Sequence, residues 1–432
     1  MSFVAFILIF IVIVLASLPI AFAFLLTSVL PHLLDPSFAF NMELAFRSIV
    51  SGMNSFPLLA IPLFIVAGEI MAQGGISEAL FSFFAYFIGN KRAGYPCAVI
   101  VTCLFYGAIS GSGPATAAAV GSMTIPLLTK MNYDKRFSAS IVAVAGGLGV
   151  IIPPSIPFII YSTTVGVSTG DLFIAGVLPG ILIGLCMMVY AWYYCKRNGE
   201  DRDRLTENYN ELRKRGFLHQ LKISFPALLS PVIVLGSIYG GVASPTEAAC
   251  VSVFYSIVVS VFVYKNIKIR KIPGILCSGV RNCAPILFII SCAVGFSRVL
   301  TLMHVPATVE QWMLSTFSSK IVILLIINFV LLIVGMFMDT LPAILIFAPV
   351  IYPIVTAIGM NPIHLGIVMV VNLAIGQVTP PMGTNLFVIS ALTKVPVLDI
   401  AKRAIPFILA FLFALLLITF IPEISLLLVG LA

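Results

Sequence analysis

Two short stretches hold the residues best suited to chemistry in an otherwise apolar chain: Ser110-Gly111-Ser112-Gly113-Pro114 and Asp339-Thr340-Leu341-Pro342. Each interrupts an apolar run, 96–130 and 321–358, that is too long for one helical crossing of a bilayer. Gly and Pro supply a turn, and Ser or Thr hydroxyls cap the exposed backbone groups. Each run therefore reads as a helical hairpin turning back at mid-membrane depth. Two more interruptions are proline pairs: Pro153-Pro154 beside Ser155, and Pro380-Pro381 beside Thr379. A proline removes a backbone donor and frees a carbonyl one turn back. Freed carbonyls and hydroxyls suit a small hard cation such as Na+. Helix amino ends suit a carboxylate. This is the chemistry of holding ions rather than of breaking bonds.

Ionisable residues inside apolar runs are costly and mark function. Asp339, in the second break, is the first candidate for contact with cation or substrate. Glu69 lies near the end of its span. Glu247 follows Ser244-Pro245-Thr246 and reads as a capping residue. Arg47 and Arg298 lie near span ends, where snorkelling is the default, though either suits an anion. His32, His219, His304 and His364 sit near loops and span ends, in no metal-binding spacing. There is no GxxxxGK[ST] phosphate loop, no H-E-x-x-H, no G-x-S-x-G and no paired catalytic carboxylates. The chain reads as no enzyme, without a cofactor, drawing its energy from an ion gradient.

The elements that position these residues follow from composition. Of 432 residues, 60% are hydrophobic and 9% charged, against roughly 25% charged in soluble domains. The expected fold is an all-α polytopic membrane protein. The net charge of +8 comes from basic residues in short loops, as the positive-inside rule expects of cytoplasmic loops, and does not point to nucleic acid. The eight cysteines lack CxxC spacing and read as small hydrophobes. The first apolar stretch has no basic flank and reads as a retained span, not a signal peptide.

One polar segment, 196–222, carries eight Lys/Arg and five Asp/Glu. It divides the chain into 1–195, a connector 196–224, and 225–432. The two halves match internally. GAISGSGPA from Gly107 pairs with GMFMDTLPA from Gly335, an offset of 228; Gly149-VII-Pro153-Pro154 pairs with Gly376-QVT-Pro380-Pro381, an offset of 227. Upstream, AIPLFIVAG around Pro62 pairs with APILFIISCAVG around Pro285, and ASLPIAFAF with ASPTEAACV. Placing the connector and 265–271 on the cytoplasmic side requires two spans between them, about 225–242 and 246–264. The run 96–130 then enters from the cytoplasm and 321–358 from the other side. That order describes two inverted repeats, an arrangement that places sites near the midplane.

These motifs resemble the large membrane subunit (DctM-like) of tripartite ATP-independent periplasmic (TRAP) transporters. The resemblance rests on NSFPLLAIPLFIVAGEIM (54–71), FYGAISGSGPATAAAVGSMTIPLL (105–128) and GGLGVIIPPSIPFIIYS (146–162). It continues through YGGVASPTEAA (239–249), GMFMDTLPAILIFAPVIYP (335–353) and NLAIGQVTPPMGTNLFV (372–388). It spans essentially the whole chain; the apolar stretch before Pro19 is shorter than usual. The resemblance implies an elevator-type member of the ion transporter superfamily, with a scaffold, a mobile transport part and arm helices at 77–90 and 306–318. It implies Na+ as the coupling ion, a small four-helix membrane subunit (Q-type), a periplasmic substrate-binding protein (P-type), and residence in the bacterial inner membrane. Substrates would be organic anions: C4-dicarboxylates, sialic acids or other sugar acids. One Na+ would lie around Ser110, Gly111, Ser112 and Gly113 with Pro153 and Pro154. A second would lie around Gly335 and Asp339 with Thr379, Pro380 and Pro381. Substrate would lie near Ser112, Ser162, Asp339, Thr340 and Asn385. Alternative readings are a stand-alone Na+/anion symporter of the same superfamily and a channel, against which two opposed hairpins argue.

Overall fold

The computed structural model describes residues 3–16, 18–36, 38–214 and 216–430; Ser17 of the first matched motif and Arg215 of the connector lie outside the described residues. The first three helices are α1 (Phe3–Leu15), α2 (Ile20–Leu34) and α3 (Met42–Met53). Then follow α4 (Ala60–Gln73), α5 (Ile76–Ile88), α6 (Gly94–Ser110), α7 (Gly113–Lys130), α8 (Lys135–Gly146), α9 (Ile156–Val165) and α10 (Thr169–Asn198). The connector folds as α11 (Arg202–Lys214), and α12 (Phe217–Tyr239) and α13 (Pro245–Val258) follow it. The order then continues with α14 (Ile272–Leu302), α15 (Val305–Thr316), α16 (Lys320–Phe337), α17 (Thr340–Ala357), α18 (Pro362–Gly376), α19 (Thr384–Thr393) and α20 (Val397–Phe420), ending in the short α21 (Glu423–Leu426). No strand occurs among the described residues. Among the described residues eight helical segments are long and apolar enough to cross a membrane, so the chain is a multi-pass membrane protein. At about 1.5 Å per residue, the 13 residues of α1 reach about 20 Å, short of the ~30 Å hydrocarbon layer.

Local signals set the helix ends. Asn41, Asp134, Ser155, Ser168 and Asn361 each accept a backbone N–H from the first turn that follows. Ser244 and Glu247 close a reciprocal capping box at α13, which gives Glu247 a structural task. Two segments are buried without interruption: 137–162, through α8 and the first proline pair, and 364–378, through α18. A helix that is apolar on every face belongs in the centre of a bundle. These two hold the middle, and the hairpins α6–α7 and α16–α17 pack beside them.

The basic loops gather at one end. Glu200, just before α11, accepts from Ala93 N–H at 2.9 Å and Tyr133 O–H at 2.7 Å, and pairs with Arg202 at 3.0 Å. Arg204 reaches the Lys130 carbonyl and Tyr95 donates to Asn208. Arg403 pairs with Asp134, and Arg136 with Asp399. At the same end, Asn266 donates to the Gly74 carbonyl and Tyr264 to Ile223 beside the start of α12.

Candidate functional site

The first hairpin tip is built on the proline pair behind it. Gly111 ends α6 at φ +61°, where a side chain would be strained and its Cβ would lie 2.7 Å from the Pro154 carbonyl. The Gly111 carbonyl in turn accepts from Ile156 N–H, the first residue of α9. Lower in the hairpin, a Cβ on Gly107 would come 2.8 Å from Gly149 Cα, so only paired glycines allow this approach. Ser110 Oγ lies 2.7 Å from Thr116 Oγ1 and 3.3 Å from the Ser112 carbonyl. Thr116 Oγ1 and the Ser112 carbonyl press directly on Gly149. Three oxygens, of the kind that hard cations take as ligands, thus lie together beside the break.

The second hairpin follows the same plan. A Cβ on Gly335 would meet Gly376 Cα at 3.2 Å, and one on Gly376 would collide with the Gly335 backbone. The matched glycines of the two halves therefore form two matched contacts, Gly107 with Gly149 and Gly335 with Gly376. Met382 N–H donates to the Met336 carbonyl, tying α16 to the second break. Both proline pairs, Pro153–Pro154 and Pro380–Pro381, are cis. Thr379 Oγ1 donates to the Ile375 carbonyl, while buried Thr384 Oγ1 has no partner within the protein.

Both tips open onto one cavity of about 580 Å³. Ser110, Gly111, Ser112 and Pro114 line it from the first hairpin; Asp339, Thr340 and Leu341 from the second; Ile156 and Pro157 from α9. Glu69 and Gln73 of α4 and Asn282 of α14 complete the polar wall. The cavity extends past Gln73 toward the end of the molecule that carries the basic loops. Ser112 and Asp339 stand at the N-cap positions of α7 and α17, yet neither side chain caps its helix. The amino ends of α7, α17 and α9 all face this space, and each favours negative charge nearby by roughly 0.3–1 kcal/mol, more where partly buried. The carboxyl ends of α6 and α16 bring carbonyls to the same level.

Of the residues expected to bind Na+ or substrate, Ser110, Gly111, Ser112, Asp339 and Thr340 share this cavity. Gly113, Pro153 and Pro154 lie directly behind the first tip. Gly335, Thr379, Pro380 and Pro381 belong to the second break and are absent from the cavity wall. Two substrate candidates stand apart from it. Ser162, near the far end of α9, is buried and bonded to Thr169 Oγ1 at 2.6 Å and the Ile159 carbonyl at 2.8 Å. Asn385 donates to the Ala143 carbonyl, joining α19 to α8, and its Oδ1 has no protein partner.

Gln377 escaped the sequence reading. Its Nε2 donates to Thr340 Oγ1 at 2.8 Å at the second tip, and its unpartnered Oε1 presses on Gly113 at the first. One buried amide therefore touches both hairpins. Its position between Gly376 and Pro380, as an amide beside the proline pair, was the available signal. Thr116 lies one helical turn beyond the Gly-Pro turn of the SGSGPAT motif, where the sequence pattern alone does not mark it. No group of His, Cys, Asp and Glu able to hold a transition metal occurs among the described residues.

With this geometry in view, comparison with known proteins places the chain. Residues 7–424 match the family "Tripartite ATP-independent periplasmic transporter, DctM component". The chain is 43% identical over 391 residues to the isethionate TRAP transporter permease protein DctMQ of Oleidesulfovibrio alaskensis, covering 90% of this chain but only 60% of that relative. It is 40% identical to the C4-dicarboxylate TRAP transporter large permease DctM of Pseudomonas aeruginosa, covering 86% of each. Identity to the 2,3-diketo-L-gulonate TRAP transporter large permease of Escherichia coli is 32%, over 95% of each chain. In fold it is similar to the YdaH transporter of Alcanivorax borkumensis, with a TM-score of 0.62 at 13% identity over 88% of this chain and 89% of that one. MtrF of Neisseria gonorrhoeae gives 0.62 at 12%, over 92% and 93%. The chain belongs to the DctM family, the large permease component of tripartite ATP-independent periplasmic transporters, and is a transport protein rather than an enzyme.

Proposed function

We propose that this chain carries out Na+-coupled uptake of a small organic acid across the bacterial inner membrane. The observation that carries the proposal is the meeting of both hairpin tips and Gln377 in a single cavity, with carbonyls and hydroxyls for a cation and three helix amino ends for an anion. In this reading, one Na+ sits among Ser110, Ser112 and Thr116 against Gly149, and a second near Asp339 and the Thr379–Pro381 break. The acid lies between Ser112, Asp339 and Thr340. Substrate is a C4-dicarboxylate, a sugar acid or a sulfonate, since relatives are named for C4-dicarboxylate, 2,3-diketo-L-gulonate and isethionate; a sialic acid belongs to the same class of organic acids. A periplasmic binding protein delivers it, and a small four-helix membrane subunit packs beside the chain; the DctMQ name of one relative joins two such components.

The two halves act as inverted repeats. The order from α4 to α10 recurs from α14 to α20. The first hairpin has its base at the end of the basic loops. The second has its base near Pro362, whose carbonyl accepts from Tyr161 close to the opposite end of α9. The hairpins with α8, α9, α18 and α19 form the moving part of an elevator, with α5 and α15 as its arms. Reconstitution with each component omitted tests the function. Uptake of a panel of carboxylates should need an inward Na+ gradient, the binding protein and the small subunit. Uptake by this chain alone, or undiminished with K+ replacing Na+, refutes it.

A further inference from the structure

A second cavity, of about 430 Å³, lies at the end of the molecule away from the basic loops. One wall is α3 and α14, with Ser51, Ser55, Ser297 and Arg298; the other carries Thr163 of α9 and Leu345 of α17. The volume falls in the range of about 300–1,000 Å³ used for small ligands. Arg298 is the one charged residue in the lining. Its Nη1 donates to Ser48 Oγ at 3.2 Å, and Ser48 passes its own proton to the Leu44 carbonyl. Arg298 is exposed, and among the described residues the bond to Ser48 is its one side-chain hydrogen bond. Among the described residues Arg298 enters no ion pair. Among the described residues the hydroxyls of Ser55 and Ser297, both half-buried, make no side-chain hydrogen bond. The wall behind them is firm, since a Cβ on Gly52 would meet Val294 Cγ2 at 2.9 Å.

An exposed arginine beside two serine hydroxyls, in a lining with no carboxylate, has the donors that an acid group needs. We propose that this cavity is an outer-face site that holds the carboxylate or sulfonate of the incoming substrate through Arg298, Ser55 and Ser297. Its far wall is made of α9 and α17, whose amino ends face the central cavity. Thr163 and Leu345 stand seven and five residues from those amino ends, about 8–10 Å along the helices. The inference rests on the transport reading above but makes a claim of its own: this face selects anions before the central site does.

The test reads local charge and needs no transport. Thr163→Cys is purified in phosphatidylcholine nanodiscs and treated with an anionic and a cationic methanethiosulfonate, each rate normalised to that of a free thiol. Labelling at position 163 is read by peptide-resolved mass spectrometry, which separates it from the native cysteines. The anionic reagent should react faster by on the order of fivefold, as expected for one unpaired cation in a confined cleft. Arg298→Gln should abolish that bias, and Arg298→Lys should keep it. Succinate or isethionate should slow labelling with Arg298 present and not in Arg298→Gln. A bias unchanged by Arg298→Gln, or no protection by either acid, overturns the proposal. Loss of bias on adding phosphatidylglycerol, without acid protection, assigns the arginine to lipid phosphate and also overturns it. Because no gradient is used, failure of Na+-driven uptake leaves this result standing, and the reverse holds too.

Discussion

Gly376→Ala is the sharpest perturbation the structure offers. The new methyl would overlap three backbone atoms of Gly335, its Cα, carbonyl carbon and oxygen, none of which can rotate away. Carbon atoms rest at about 3.5–4.0 Å, so α16 and α18 must part by about 1 Å. Overpacking of this kind costs roughly 1–3 kcal/mol, or more against rigid backbone, and the better helix propensity of Ala returns up to about 1 kcal/mol. A net loss of about 2 kcal/mol corresponds to roughly a thirtyfold shift in a folding equilibrium. The functional effect should be larger than stability alone implies. Hard cations accept oxygen ligands only within a few tenths of an ångström of about 2.3–2.6 Å, and a 1 Å movement of α16 removes its carbonyls from that shell. The half-saturating Na+ concentration for uptake in proteoliposomes should rise at least about tenfold, and the thermal midpoint of purified protein should fall. Gly274→Ala is the control: it lies in α14 with nothing within 4 Å of its Cβ, so it should be neutral or slightly stabilising. If Gly376→Ala matches Gly274→Ala in both assays, the close approach of hairpin and broken helix is not what shapes the site.

Other expectations concern single side chains. Asp339→Ala and Ser112→Ala should each impair Na+-dependent uptake while membrane insertion, read by quantitative immunoblotting, stays near normal. Gln377→Ala removes the bond to Thr340 and the contact with Gly113; uptake should drop by about tenfold, as loss of one buried hydrogen bond and its geometry implies. Glu200→Ala strands Tyr133, Ala93 N–H and Arg202 together, and hydrogen bonds to a charge are worth about 1.5–3 kcal/mol. It should lower the thermal midpoint and speed tryptic cleavage within 196–222, with Na+ affinity unchanged.

The sequence was informative where physics leaves few choices. An apolar chain with one charged interruption has to be a helical membrane protein, and the turns at Gly111 and Met338–Asp339 fall where Gly, Pro and Asp had marked them. The capping role of Glu247 followed from Ser244 three residues earlier. Contacts between distant segments were harder to read. Gln377 owes its importance to Thr340 and Gly113, 37 and 264 positions away, which no local pattern reveals. The family resemblance implied Ser162 near substrate, but one and a half turns of α9 carry it past the cavity to bond with Thr169. Arg298 reads from sequence as snorkelling by default with an anion as the alternative; the pocket around it depends on α3 and α9, both remote in the chain.

Equilibrium binding of 22Na+ to the purified protein, with the wild type compared against Ser110→Ala, Thr116→Ala and Asp339→Ala, tests the central claim most directly. The account predicts saturable binding that K+ does not displace, with each variant losing part of it. No saturable binding, or binding identical in all four proteins, would contradict it.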